Sequence, residues 1–185
     1  MGNLYQEQKD YDKARLAYDA ALKIEPRFAD AAMAKGDLLA LQGRFGEAKQ
    51  SYKTVIANAP SQPLAYNNLA WIAAEEKTQL EEAVNWSKKA IELGPSVPQF
   101  KDTLAWVYRA KGELGQAAET LTAALKMNEK EPTVLYHLGI VLSEQGKTHE
   151  AITALKKTVK LHPDAAIVKD AEQRINVLSS AHTSR

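Results

Sequence analysis

Small residues recur along this chain at an interval that permits few folds. Gly36, Ala70, Ala105 and Gly139 stand 34, 35 and 34 residues apart, and Ala14, Ala48, Ala83, Ala117 and Ala151 stand 34, 35, 34 and 34 apart. Pro26, Pro60, Pro95 and Pro163 each follow such an Ala by twelve residues, and Glu129 takes the proline slot of the fourth unit. Tyr18, Tyr52, Leu121 and Leu155 lie four residues after their Ala; Ser87, beside Trp86, breaks that rule. Tyr66-Asn67-Asn68-Leu69-Ala70-Trp71 is echoed 35 residues later by Lys101-Asp102-Thr103-Leu104-Ala105-Trp106. Self-similarity at this kind of period overrides local assignments, because each unit is too small to bury its own apolar face and depends on stacked neighbours.

Each unit reads as two helices. Phe45, Ala48, Tyr52, Val55 and Ile56 recur with helical spacing. Gly43, Gly112 and Gly146 fall between the paired helices, where a tight turn needs a permissive backbone. A proline at the end of the second helix cannot continue it. Gly36, Ala70, Ala105 and Gly139 let paired helices approach closely, and a large side chain there would overpack the contact. The expected fold class is therefore all-α.

The pattern resembles the tetratricopeptide repeat (TPR) family, shown well by Leu135, Leu138, Gly139, Leu142, Gly146, Ala151, Leu155 and Pro163. The resemblance implies a right-handed superhelical solenoid of antiparallel helix pairs, with units at 1–28 (incomplete), 29–62, 63–97, 98–131 and 132–165. The partial first unit implies a longer array, or a shortened one whose front face is left open to self-association. Lys35 stands in a slot that usually holds Leu, which predicts loose packing of the second unit. The third unit carries one extra residue near Lys77-Thr78-Gln79. Val168, Ala171, Ile175 and Leu178 share one face, with Lys169, Asp170, Glu172 and Arg174 off it, so 164–178 reads as a capping helix. Residues 179–185 have too little apolar content to stay ordered.

In TPR proteins the first (A) helix of each pair lines a concave groove. Carried onto this chain, the groove positions are Asp30, Met33 and Asp37; Asn67, Asn68, Trp71 and Glu75; Gln99, Asp102, Trp106 and Arg109; and Tyr136, His137, Ile140 and Glu144. Trp71 and Trp106 hold the same slot in successive units, and Ile140 would continue them as an apolar stripe. They read either as hot-spot anchors for a peptide or as side chains that pack neighbouring A helices. The clamp with which some TPR co-chaperones hold a C-terminal carboxylate needs Lys, Asn, Asn, Lys and Arg. Its slots here hold Met33, Asp37, Asn68, Gln99 and Thr103, so the cationic part is missing and that role is excluded. The Leu-Ala-Trp doublet also resembles bacterial TPR lipoproteins of exopolysaccharide and PEP-CTERM sorting systems. That likeness implies an envelope-associated parent facing the periplasm, a cytoplasmic one being the alternative.

With 24 basic and 23 acidic residues mixed along the chain, no electrostatic footprint for nucleic acid exists. The chain has no cysteine, hence no disulfide or thiol nucleophile. No apolar run approaches the about 18 residues that span a bilayer. Met1-Gly2 lacks the Ser or Thr of a myristoylation motif at Gln6. His137, His149, His162 and His182 have no metal-ligand spacing, and His137 reads as an ordinary surface histidine. The glycines form no phosphate loop, and Glu75-Glu76 and Glu81-Glu82 read as solvated helix ends. No catalytic constellation, cofactor or metal is expected. The anticipated role is a protein-binding adaptor, with a structural scaffold acting through array–array contacts as the alternative.

Overall fold

The computed structural model describes residues 1–161 and 164–183, with side chains through Ser180. His162 and Pro163, and with them the proline slot of the fifth unit, lie outside the described residues, as do Ser184 and Arg185. Ten of the eleven described helices form five consecutive pairs: α1 (Gly2–Glu7) with α2 (Tyr11–Ile24), α3 (Ala29–Leu41) with α4 (Phe45–Asn58), α5 (Pro63–Glu76) with α6 (Leu80–Leu93), α7 (Pro98–Ala110) with α8 (Leu114–Met127), and α9 (Pro132–Glu144) with α10 (Thr148–Lys160). A final helix, α11 (Ala165–Thr183), follows. The result is an all-α solenoid of helix pairs. α5 packs beside α7 and α7 beside α9, while each second helix joins the stack through the A helix of the next unit.

The turn inside every unit closes in the same way. The backbone N–H groups of Asp10, Arg44, Thr78, Glu113 and Lys147 donate back to the carbonyls of Tyr5, Leu39, Ala73, Tyr108 and Leu142. This is the Schellman closure, which requires a left-handed residue just before the donor. Gly43, Gly112 and Gly146 supply it with φ of 71°, 81° and 75°. Lys9 and Lys77 adopt the same conformation at φ 59° and 52° without glycine's freedom. The extra residue of the third unit is absorbed by a second positive φ, 51° at Gln79.

Pro63, Pro98 and Pro132 open α5, α7 and α9 at the first turn, where a missing N–H costs nothing. Where Glu129 replaces proline, Asn128 builds the bend instead. Its side chain accepts from Lys130 N–H at 3.1 Å and donates to Glu131 at 2.7 Å.

The core is a chain of local clusters between neighbouring helix pairs. One gathers Leu39, Tyr52, Val55, Leu69 and Ile72; the next Ala73, Val84, Leu104 and Val107; the third Leu121, Val134 and Val141. The small-residue slots are needed for these contacts. A Cβ on Gly36 would lie 2.6 Å from the Tyr52 ring, and one on Gly139 would lie 2.6 Å from Leu155 Cγ. Lys35 pairs with Asp19 of the preceding unit at 2.6 Å, and a cleft of about 230 Å³ lies beside it.

α11 lays Ala171 fully buried onto α10 and α9, and Leu178 packs against Leu142, Ala151 and Ala154. The helix runs to Thr183, past the boundary read from sequence at Leu178. Ser179 and Ser180 offer no helix breaker, and the Ser180 hydroxyl donates to the Val177 carbonyl at 2.9 Å.

Candidate functional site

The A helices carry their polar residues toward one another, and the wall they form divides into two chemically different halves. In the first half, Tyr52 of α4 lies 1% exposed over Gly36, the only residue size that lets its ring pass at that distance. Its hydroxyl reaches through the pair and donates to Asp37 Oδ1 at 2.8 Å. Asn68 of α5 donates to the same oxygen at 3.0 Å, and Asn67 donates to Asn68 at 3.2 Å. Burial beside these groups pushes the Asp37 carboxyl above its ordinary value, and the bonds from Tyr52 and Asn68 pull it back in part. Tyr18 repeats the arrangement one unit earlier, its hydroxyl lying 2.7 Å from Asn3 Oδ1 and 2.9 Å from Gln6 Oε1.

One turn beyond Asn67 and Asn68, Trp71 is 37% exposed. Its indole meets the Phe45 ring edge-on, with centroids 5.9 Å apart and planes at 86°. Phe45 thus fixes the indole without covering it. Met33 on α3 is half-buried against the neighbouring core.

The second half is closed by its own contacts. Trp106, in the slot equivalent to Trp71, donates its indole N–H to Glu75 at 2.7 Å. His137 stacks on that indole at 4.2 Å, and the Arg109 guanidinium lies over it at 4.3 Å. Arg109 is in turn bound by both carboxylate oxygens of Glu144. Asp102, 8% exposed, holds His137 Nδ1 at 2.8 Å. Tyr136 donates to Asp170 of α11 at 2.5 Å, and Arg174 binds the same carboxylate. A cleft of about 280 Å³ among Ala74, Glu75, Lys77, Trp106, Arg109 and Glu144 remains beside these pairs.

Several expectations change at this point. His137 is not a free surface histidine, because Asp102 and Trp106 both hold it. Ile140 does not continue an apolar stripe: it is 3% exposed, in a helix covered by α7, α8, α10 and α11. Asp102 is likewise turned into the wall. Asp170, expected on the outer face of the cap, faces Tyr136. Gln99 donates to Glu131 at 3.2 Å and Thr103 is buried, so neither slot serves a carboxylate clamp. Sequence reasoning did not foresee that Tyr52 and Phe45 build the wall from the second helix of the pair. The Tyr–Gly complementarity at a separation of 16 residues, Tyr18 with Gly2 and Tyr52 with Gly36, was the available signal. Among the described residues, no helix is long and apolar enough to cross a membrane, and no group of three or more acidic or histidine side chains is placed to hold a metal.

Known proteins share this architecture. The human protein O-mannosyl-transferase TMTC1 is 32% identical over 174 residues, 92% of this chain and 20% of that protein. The chain spans about a fifth of the length of the first curated relatives it matches. The crystal structure of PilW, a type IV pilus biogenesis factor, superposes with a TM-score of 0.81 at 17% identity, covering 100% of this chain and 90% of that one. YrrB, described as a TPR protein with an unusual peptide-binding site, gives 0.68 at 18% identity, covering 93% and 88%. The tetratricopeptide repeat family model matches residues 1–63, 42–98 and 103–166. With that match across nearly the whole chain and five Schellman-closed helix pairs in register, this chain belongs to the tetratricopeptide repeat family, whose stacked arrays present extended concave binding surfaces.

Proposed function

We propose that this array is a non-catalytic adaptor that holds an extended segment of a partner protein against its A-helix wall. The observation that carries the reading is Trp71. A large indole is left open on the wall while its equivalent, Trp106, is capped by Glu75, Arg109 and His137. Held aromatic side chains give large contact area at low entropic cost and are enriched among binding hot spots. The peptide-binding site named for YrrB, on a similar fold, is consistent with this use. The transferase name of TMTC1 belongs to a protein about five times longer, of which this chain matches 20%.

The test is capture from the source organism's lysate with wild type beside Trp71→Ala, circular dichroism confirming that both fold. Trp71→Ala is expected to weaken the partner by about 2 kcal/mol or more and to lower stability by about 2 kcal/mol, through the apolar surface the indole buries and the lost Phe45 contact. Equal capture by both proteins would remove Trp71 from the binding surface. A second reading, assembly through array–array contacts, is favoured by exposed Leu4 and Leu16 on the first helix pair. It predicts a sedimentation coefficient that rises with concentration and is reset by Leu4→Ser with Leu16→Ser.

A further inference from the structure

Resting on that reading, the geometry points to a cationic segment bearing an aromatic or large aliphatic side chain as the ligand, seated on the first half of the wall across α3 and α5. Three observations converge. Asp30, Met33, Ala34 and Asp37 follow one another at i, i+3, i+4 and i+7, and so share a face of α3. Among the described residues, no ion pair engages Asp30 or Asp37, whereas the neighbouring Lys35 cation is committed to Asp19. On α5, Trp71 supplies the open aromatic surface, three residues beyond Asn68, which bonds Asp37.

The chemistry selects the occupant. Asp37 has an amide and a hydroxyl as partners but no counter-charge, although its surroundings remove part of its hydration. A lysine or arginine brought alongside would supply that charge, with a charge-assisted bond stronger than either neutral one. An acidic segment would instead set carboxylate against carboxylate at Asp30 and Asp37, and a purely apolar one would cover Asp37 without compensating it. The second half of the wall offers no equivalent, since Glu75, Asp102, Arg109 and Glu144 already have partners.

The experiment is an array of capped random peptides about ten residues long, about 33 Å when extended. It is probed with wild type, Asp37→Asn, Trp71→Ala and Trp106→Ala, and followed by solution titration of the strongest binders. Wild type is expected to select peptides of net positive charge that contain an aromatic or large aliphatic residue. Asp37→Asn is expected to weaken them about tenfold without lowering the thermal midpoint, which separates a ligand contact from a structural one. Trp71→Ala is expected to weaken binding about thirtyfold or more. Selection of neutral or acidic peptides that still depend on Trp71 overturns the cationic assignment and leaves the adaptor reading standing. Binding indifferent to Trp71→Ala, or no binding by any charge class, removes both.

Discussion

At the scale of single residues, the closest fits in the molecule lie where a side chain from one helix crosses a small residue on its partner. Gly36 and Gly139 occupy the same slot, yet their neighbours differ in stiffness. Tyr52 is a fixed ring bonded to Asp37, whereas Leu155 can change rotamer, and in the fourth unit Leu121 and Ala105 coexist fully buried. Gly36→Ala is therefore expected to destabilise by about 2 kcal/mol through overpacking. Gly139→Ala should be close to neutral, because alanine's helix preference of about 1 kcal/mol offsets the repacking. Thermal or urea melts of the two variants check the contrast.

Asp37 behaves differently from an ordinary surface carboxylate. Its folded value is raised chiefly by burial, so the stability linked to it is full below the ordinary carboxylate range and is lost as pH rises through the raised value. Asp37→Asn retains an acceptor for Tyr52 and Asn68 but carries no charge. It is expected to be at least as stable as wild type at neutral pH, with the wild type gaining on it as pH falls, in melts between about pH 3 and pH 7. The spacing of Gly36 and Tyr52 was legible in the sequence. The convergence of Tyr52 and Asn68 on one oxygen was not, because it depends on how far the ring protrudes past the glycine.

At the scale of the element, five helix turns share one backbone solution reached by different residues. Lys9 and Lys77 do the work of glycine in a conformation that disfavours a side chain. The second helix of the first unit has a cap: Asp10, at φ −85° and ψ 73°, accepts from Lys13 N–H. Lys147 begins α10 with nearly the same backbone, φ −81° and ψ 64°, but caps nothing, and Glu150 stands three residues on. Lys147→Ser supplies the missing N-cap side chain and is expected to stabilise the protein by about 1 kcal/mol, read from the shift in urea midpoint. Element type and order were legible because the repeat constrains every unit at once. The end of α11 was not, because Ser179 and Ser180 are weakly helical residues whose state follows from continuity with the helix before them. The burial of Ile140 was hidden for a related reason: a slot that is open in one unit is covered in another, where α9 meets four other helices.

At the scale of the whole molecule, stability is a sum over neighbouring pairs rather than the property of a single core. Clusters in the middle of the array draw on helices from both sides, whereas Ala14, Tyr18 and Leu38 at one end, and Leu142 and Ala154 at the other, have fewer companions. Amide hydrogen exchange is expected to be slowest in α5, α7 and α8 and faster in α1, α2 and α11; uniform protection from end to end would contradict this. The cross-links along the wall also have a mechanical meaning. Glu75–Trp106, Arg109–Glu144, Asp102–His137 and Tyr136–Asp170 tie successive units along the inner edge of the superhelix, while Asp37–Asn68 is the corresponding tie between α3 and α5. Treated as a spring, the array is linked along this edge at every boundary from α3 to α11, and most heavily where α7 meets α9. A pull on its ends is then taken up first by a change of pitch between α1 and α3, where no side-chain bond joins the two helices among the described residues, and that first step becomes the part of the molecule whose shape reports tension.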